Sequence, residues 1–343
     1  MPYFYFLSTF LITGISLLLL RPVAIKIGLV DIPGGRKAHL KATPLIGGLG
    51  IFFGILCVLS SMPAMLLEYG SLLSLSALIL FIGTVDDAKD ISPLVRLIGH
   101  SLVALAMAVV AGVELSSVGA LLSSTPIDLG LFSVPVTVFA TLGVINAINM
   151  SDGIDGLSGG LVIVCLVFIA LTSSTSGQLL IASFCTVVIC SIAAFLSLNF
   201  RRPWQKQALI YLGDAGSTML GFMLAWLLIS STQGTTPTFS PVYALWFLAV
   251  PLVDTVNLMI KRPLKGRSPF DAGTDHLHHI LLSRGFSVTQ TVLLILGMAI
   301  ASGGFGLLGM RVGLNDSTMF LSFIALFGVY FYFSDRITKS PNP

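Results

Sequence analysis

Charge is scarce in this sequence. Asp, Glu, Lys and Arg make up 10% of the 343 residues, against 55% hydrophobic ones. A soluble domain carries about 25% charged residues, because its whole surface must be wetted. A water-soluble fold is thereby excluded. Disorder is excluded too, since the chain is strongly apolar and has no long charged or Ser/Pro-rich tract to serve as tail or linker. Cysteine is also sparse. Cys57, Cys165, Cys185 and Cys190 lie in apolar runs without CxxC spacing, which supports neither a disulfide framework nor a zinc site and reads them as small buried hydrophobes. A net charge of only +3 leaves no electrostatic footprint for nucleic acid. No basic residue precedes the apolar first twenty residues and no small-residue cleavage site follows, so they read as a retained helix rather than a signal peptide. With a mean hydropathy of +0.97, an integral membrane protein is the class that remains.

Charge-free intervals mark the spans. Residues 1–20, 42–67, 69–85, 97–113, 129–151, 156–200, 215–253, 285–310 and 317–334 hold no Asp, Glu, Lys or Arg. A bilayer core of about 30 Å takes roughly 20 helical residues. The 45 residues of 156–200 must therefore cross twice, turning at the polar 173–178 patch. The 39 residues of 215–253 likewise fold back at 232–237. That predicts eleven transmembrane helices in one all-α polytopic bundle, with residues 1–343 as a single membrane domain. With the N-terminus outside, loops 21–44, 86–96, 150–156, 199–214 and 260–288 and the C-terminal tail are cytoplasmic. They carry 17 of the 18 basic residues, leaving Arg311 outside. So one-sided an excess sets the orientation by the positive-inside rule. Ten of the fifteen acidic residues fall on the same side (Asp31, Asp86, Asp87, Asp90, Asp152, Asp155, Asp214, Asp271, Asp275 and Asp335), although topology does not require it. The dense chemistry is on one face. The outside segment 113–134 reads as a hairpin or a plain loop.

Four constellations lie on that face. Asp86-Asp87-Ala88-Lys89-Asp90 closes the third span, and on a helix Asp86 and Asp90 share a side. Carboxylates this close repel unless a cation or a proton relieves them. Oxygen ligands suit Mg²⁺ or Mn²⁺, which bridge carboxylates to phosphates, while a solvated acidic helix end is the plainer alternative. Next, Asn146, Asn149, Asp152 and Asp155 recur at three-residue steps where a span ends, with Gly153 and Gly156 permitting a turn close to a ligand. A plain connection needs one such residue. Third, Tyr211-Leu-Gly213-Asp214-Ala-Gly216-Ser217 opens the eighth span, Asp214 being an ordinary N-cap on the plainer reading. Asn199, Arg201 and Arg202 upstream add anion-binding capacity. Fourth, the 260–288 loop holds Arg267 with His276, His278 and His279. These histidines do not share a helical face as HExxH ligands do, so hydrogen bonding to phosphate or sugar is favoured over zinc. His100 reads as packed inside the bundle. Asp254, a turn or two inside the ninth span, is either a pairing group or a functional one.

Aspartates, basic side chains and histidines at membrane helix ends suit divalent-cation and phosphate chemistry, with one reactant a lipid phosphate and the other a cytoplasmic anion. In the order DDxxD (Asp86 to Asp90), NxxNxxDGxDGL (Asn146 to Leu157), GDxGS (Gly213 to Ser217) and HxHH (His276 to His279), with Pro44–Gly48 as a first-loop signature, the chain resembles the polyprenyl-phosphate N-acetylhexosamine-1-phosphate transferases. The match covers residues 31–285 and most of the chain. Thr232-Gln-Gly and the segment from Ser240 to Trp246 resemble the branch that transfers N-acetylglucosamine-1-phosphate from UDP-N-acetylglucosamine to undecaprenyl phosphate, releasing UMP.

The resemblance implies a bacterial inner-membrane enzyme acting at the cytoplasmic face in cell-surface polysaccharide synthesis. Its expected partners are those two substrates and membrane lipids, not nucleic acid, with a homodimer as one assembly. It implies Mg²⁺, or Mn²⁺, on Asp214 with Asn149 beside it. Asp86 would deprotonate or orient the lipid phosphate, with Asp87 in support. Asp155 and Asn199 would read uracil and Tyr211 would stack on it. Arg96, His276, His278 and His279 would lie near the diphosphate and sugar. Asp90, Asn146, Asp152 and Arg267 complete the substrate-binding set. Where the family has an Asp-Arg pair before the histidines, this chain has Gly273-Thr274, so a sugar-contacting arginine is absent or replaced by Arg267, and another UDP-N-acetylhexosamine is the alternative donor. Direct attack of the lipid phosphate is expected, a two-step aspartyl-phosphate path being the alternative. A cation-coupled transporter is the rival class, but its acids would sit near the midplane.

Overall fold

The computed structural model describes residues 3–31, 42–202, 205, 207–268 and 273–338. Arg36, Lys37, Lys41, Lys206, Asp271 and Lys339, which enter the charge asymmetry, lie outside the described residues. The helices are α1 (Tyr3–Ile27), α2 (Gly47–Ser60), α3 (Pro63–Glu68), α4 (Gly70–Lys89), α5 (Pro93–Val109), α6 (Ser133–Met150) and α7 (Leu157–Thr175). They continue as α8 (Leu179–Asn199), α9 (Gly213–Thr232), α10 (Pro241–Phe247), α11 (Ala249–Leu264), α12 (Leu277–Ser283), α13 (Val288–Arg311) and α14 (Asp316–Thr338). Two short strands, β1 (Val30–Asp31) and β2 (Thr43–Pro44), pair antiparallel. The protein is an all-α polytopic membrane bundle, as expected.

Among the described residues, eight helices are long and apolar enough to cross a membrane, and the bent α10–α11 pair makes a ninth if taken as one span. The shorter apolar helices α2 and α5 occupy the remaining two intervals expected to span. The turns expected at 173–178 and 232–237 fall between α7 and α8 and just after α9. Two intervals are less regular than expected. The 42–67 stretch breaks at Ser61-Met62, where Pro63 opens α3. The ninth span bends by 86° between α10 and α11.

Proline explains that bend. Pro251 has no N–H to donate to the Phe247 carbonyl four residues back. The Cys165 thiol donates to that carbonyl instead, at 2.8 Å. A broken backbone inside a membrane is tolerable when protein satisfies it, and Phe247 and Leu248 are buried. Cys165 is thus a donor at the break as well as a small buried group.

α9 is the axis of the bundle, with 94% of its apolar stretch buried. Small residues let other helices reach it. A Cβ on Gly83 of α4 would lie 2.4 Å from the Ala215 Cα, and one on Gly48 of α2 would lie 2.4 Å from the Gly216 Cα. Without a hydrophobic drive between helices in lipid, such close backbone approach supplies much of the association. Gly83→Val is therefore expected to destabilise the detergent-purified protein by about 1–3 kcal/mol through overpacking, read as a lowered melting temperature. Gly304→Ala, where nothing lies within 4 Å, should leave the melt unchanged.

Candidate active site

The first three constellations meet at one end of α9. Asp87, at the end of α4, accepts hydrogen bonds from the backbone N–H groups of Asp214 (2.8 Å) and Ala215 (3.2 Å). It caps α9 from a neighbouring helix and fixes where Asp214 points. Asp214 itself is in the first turn and makes no side-chain cap. Its Oδ1 accepts from Asn149 Nδ2 at 2.8 Å, and Asn149 also donates to Ser217 Oγ at 2.9 Å. Arg96 Nη1 bridges Asp214 Oδ2 at 3.0 Å and Asp86 Oδ2 at 2.6 Å. Asp86 Oδ1 accepts from the Ile91 N–H at 3.0 Å. One guanidinium thus offsets two carboxylates that would otherwise repel. Asp90 does not join them. α4 stops at Lys89, and Asp90 turns into the left-handed region at φ 50°, so the helical spacing that would align it with Asp86 no longer applies.

The loop after α6 forms the second wall. Asp152 is crowded there: burial, then the charges of Asp214, Asp87 and Asp155, push its carboxyl well above the usual range. Asp155 pairs with Arg201 Nε at 2.5 Å. Asn199 spends both ends of its amide on backbone, accepting from Gly156 N–H at 2.7 Å and donating to the Ile210 carbonyl at 2.9 Å. It ties this loop to the segment leading into α9. Tyr211 is clamped to the first-loop signature, its N–H donating to the Pro44 carbonyl at 2.8 Å and its carbonyl accepting from Gly47 N–H at 2.9 Å. Burial and the Asp155 charge raise its phenol above the ordinary value.

The histidine segment is held by residues that its motif does not include. Asp254 Oδ2 lies 2.9 Å from His276 Nδ1, and Asp254 Oδ1 accepts from the Leu277 N–H at 3.1 Å and from the Tyr330 hydroxyl at 2.6 Å. A carboxylate only accepts, so in this contact Nδ1 of His276 is the donor. Its Nε2 lies 3.5 Å from Nη2 of buried Arg262. Asp254 is therefore a pairing group that anchors α12, and it takes up the Nδ1 side of His276. Arg262 also grips Asp275 through Nη2 at 2.7 Å and Nε at 3.2 Å. Burial alone would raise the Asp275 carboxyl, but Arg262 outweighs it and holds it below the usual range. A Cβ on Gly273 would lie 2.3 Å from Asp275 Oδ1 and 3.0 Å from Arg262 Nη2, so this pair fills the space of a side chain at 273. Arg267 Nη1 stands 4.0 Å from Asp275 Oδ2, beside a cavity of about 140 Å³ that Lys261 and Lys265 also line.

His278 joins this segment to the second motif, since a Cβ on Gly153 would lie 2.2 Å from its Nε2. Burial, with His279 and His276 nearby, pushes His278 down to about 3. His279 is lowered for the same reasons, burial first. An unfolded histidine takes up a proton below its ordinary 6.5 that buried His278 refuses. Stability is therefore full above that value and falls as the pH drops from it. The melting temperature of the wild type is expected to fall more steeply between about pH 7 and 5 than that of His278→Gln.

A long apolar groove opens beside these polar groups. It has a volume of about 550 Å³ and runs between α5, α6, α9, α10 and α11. Asn146 stands at one end, a single helical turn from Asn149. Thr232, at the far end of α9, stands at the other. Asn146, Thr232 and Thr255 are the only polar side chains in its lining among the described residues.

A membrane helix bundle that gathers five aspartates, arginines and histidines at one end of an apolar groove is suited to group transfer between anions. Residues 69–232 match the model of glycosyl transferase family 4. The chain is 37% identical over 324 residues to an undecaprenyl-phosphate α-N-acetylglucosaminyl 1-phosphate transferase of Yersinia pestis, covering 94% of this chain and 88% of the relative. It is 40% identical to the Salmonella typhi protein of that name, over 87% of this chain and 81% of the relative. For the Haemophilus influenzae one the identity is 39%, over 94% and 91%. The chain belongs to glycosyl transferase family 4 and is an integral membrane transferase.

Proposed function

We propose that the protein transfers N-acetylglucosamine-1-phosphate from UDP-N-acetylglucosamine to undecaprenyl phosphate at the cytoplasmic face of the bacterial inner membrane. The products are undecaprenyl-diphospho-N-acetylglucosamine and UMP, and the reaction starts a cell-surface polysaccharide. The adjacency of the apolar groove to the Asp86–Arg96–Asp214 cluster, through Asn146 and Leu97 in its lining, carries this reading. Asn146 lines the groove while Asn149, one turn on, touches Asp214, so a polyprenyl chain in the groove delivers its phosphate to the carboxylates. The names of the relatives support both acceptor and sugar.

An oxygen of the acceptor phosphate attacks the β-phosphorus of the donor, the bond from that phosphorus to the bridging oxygen breaks, and UMP leaves with its electrons. Direct attack is the preferred path: both oxygens of Asp86 and both of Asp87 accept hydrogen bonds, which fixes these carboxylates in place and lowers their nucleophilicity. Arg96 is suited to hold the acceptor phosphate against Asp86, and Asp155, Arg201 and Tyr211 line the side that would take the uridine. The donor set suits a Mg²⁺ ion: Asp214 would hold it, oriented by the Asn149 Nδ2 that donates to its Oδ1, and this ion ordinarily takes one or two carboxylates, waters and substrate phosphates. When bound it would neutralise the diphosphate. The test is UMP release and lipid-linked product from detergent-purified protein with undecaprenyl phosphate, a panel of UDP-sugars, and Mg²⁺ or EDTA. Metal-dependent turnover preferring UDP-N-acetylglucosamine is expected. UMP release without any acceptor would overturn direct attack, and no turnover with any UDP-sugar would overturn the transferase reading.

A further inference from the structure

The end of the groove remote from the aspartates is lined by a fastened hairpin. Segment 115–129 is a hairpin: Val118 N–H donates to the Ile127 carbonyl at 3.2 Å and Ile127 N–H to the Gly119 carbonyl at 3.0 Å. Leu115, Val118 and Leu121 from it line the groove beside Thr232. The next residue of the chain holds it there. Gln233 Oε1 accepts from Ser116 N–H (3.1 Å), Ser116 Oγ (2.9 Å) and Ser117 N–H (3.1 Å), and its Nε2 donates to the Ser117 carbonyl at 3.1 Å. Further ties come from α6, where Thr137 Oγ1 accepts from Leu115 N–H at 2.8 Å. On the other flank Asp316 Oδ2 accepts from Ala120 N–H at 2.9 Å and from Ser240 Oγ at 2.6 Å. A polar loop at a membrane surface gains most by facing water. This one is fastened so that three apolar side chains face the groove instead.

We propose that this clamped hairpin caps the far end of the acceptor groove and makes affinity depend on acceptor length up to the isoprene that meets Leu115, Val118 and Leu121. The inference rests on the groove holding the lipid acceptor. Thr137, where the hairpin is tied, lies nine residues from Asn146 on α6, about 14 Å of helix, so only a chain of several isoprene units reaches the cap. Each unit that does so exchanges apolar surface for the hairpin, while the phosphate and its attack are untouched at the other end.

The experiment measures KM and kcat for prenyl phosphates from two to eleven isoprene units, with UDP-N-acetylglucosamine saturating. In the wild type KM should fall with length and then level off once the chain meets the cap. Gln233→Leu removes the clamp and should raise KM for the eleven-unit acceptor about ten-fold, leaving the shortest acceptor that turns over unchanged and kcat unchanged throughout. That short acceptor reports folding of the same preparation. Should Gln233→Leu fail to fold, Val118→Ser keeps the Gln233 hydrogen bonds, removes one apolar face of the cap, and should move the same parameter in the same direction. The proposal is overturned if a folded variant raises KM equally for short and long acceptors, or for neither. Failure of the underlying reading looks different: the wild type would then turn over no prenyl phosphate, or show no dependence on chain length at all.

Discussion

Asp214→Asn is expected to lower kcat for UMP release by about a hundred- to a thousand-fold, the usual cost of deleting one preorganised electrostatic group at a reacting centre. Asp214 is the hub of the cluster, accepting from Asn149 on one oxygen and Arg96 on the other. An amide of the same shape must turn an NH₂ towards one of those donors, and Arg96 keeps Asp86 as its counter-charge while losing that of Asp214. The fold should survive. The start of α9 is held by Asp87 through backbone N–H groups, which the substitution does not touch, so the melting temperature should stay near that of the wild type. Retention of more than a tenth of the activity in a well-folded Asp214→Asn protein would remove Asp214 from the chemistry.

Asp87→Ala should cost activity by a different route. It leaves the Asp214 and Ala215 N–H groups without their acceptors, a loss of about 1–3 kcal/mol per unsatisfied group. It also frees the first turn of α9 to shift Asp214. A fall in kcat of about a hundred-fold with a clearly lowered melting temperature is expected, since small misplacement of a catalytic group costs that much. Asp87→Asn, which keeps one acceptor oxygen, should recover much of the stability. Gly213 tests the same contact from the other side. Its φ is +77°, and a Cβ there would lie 2.5 Å from Asp87 Oδ2. Gly213→Ala should therefore resemble Asp87→Ala in both readouts. If Asp87→Ala melts normally and still loses activity, Asp87 acts on substrate directly and not through α9.

The membrane class, the intervals that become helices and the clustering of chemistry at one end were legible in the chain. Hydropathy is a property of contiguous residues, and a bilayer imposes a length on them. The polar constellations could be read in the same way, because Asp86 and Asp87, Asn149 and Asp214 each sit at a helix end where an apolar run stops. The break in the ninth span had a local signal in Pro251. Its acceptance depended on Cys165, which is remote in sequence.

What hydropathy and spacing could not assign was division of labour among like residues. Asp86 and Asp87 are neighbours in the chain, yet one meets Arg96 and the other caps α9. Asn199 and His276, expected at the substrate, are used to tie loops and anchor α12. Arg262, one of five basic residues in its loop, is the one buried against Asp275. Composition and periodicity determine burial and helix length because these depend on a residue's own chemistry and its near neighbours. Which oxygen meets which donor depends on helices brought together from distant parts of the chain, at distances of about 3 Å where a one-residue shift exchanges every partner. The sequence alone determined that this is a polytopic membrane protein with an acidic end. Only the tertiary structure decided which aspartate holds the helix, which meets Arg96, and which residues line the apolar groove.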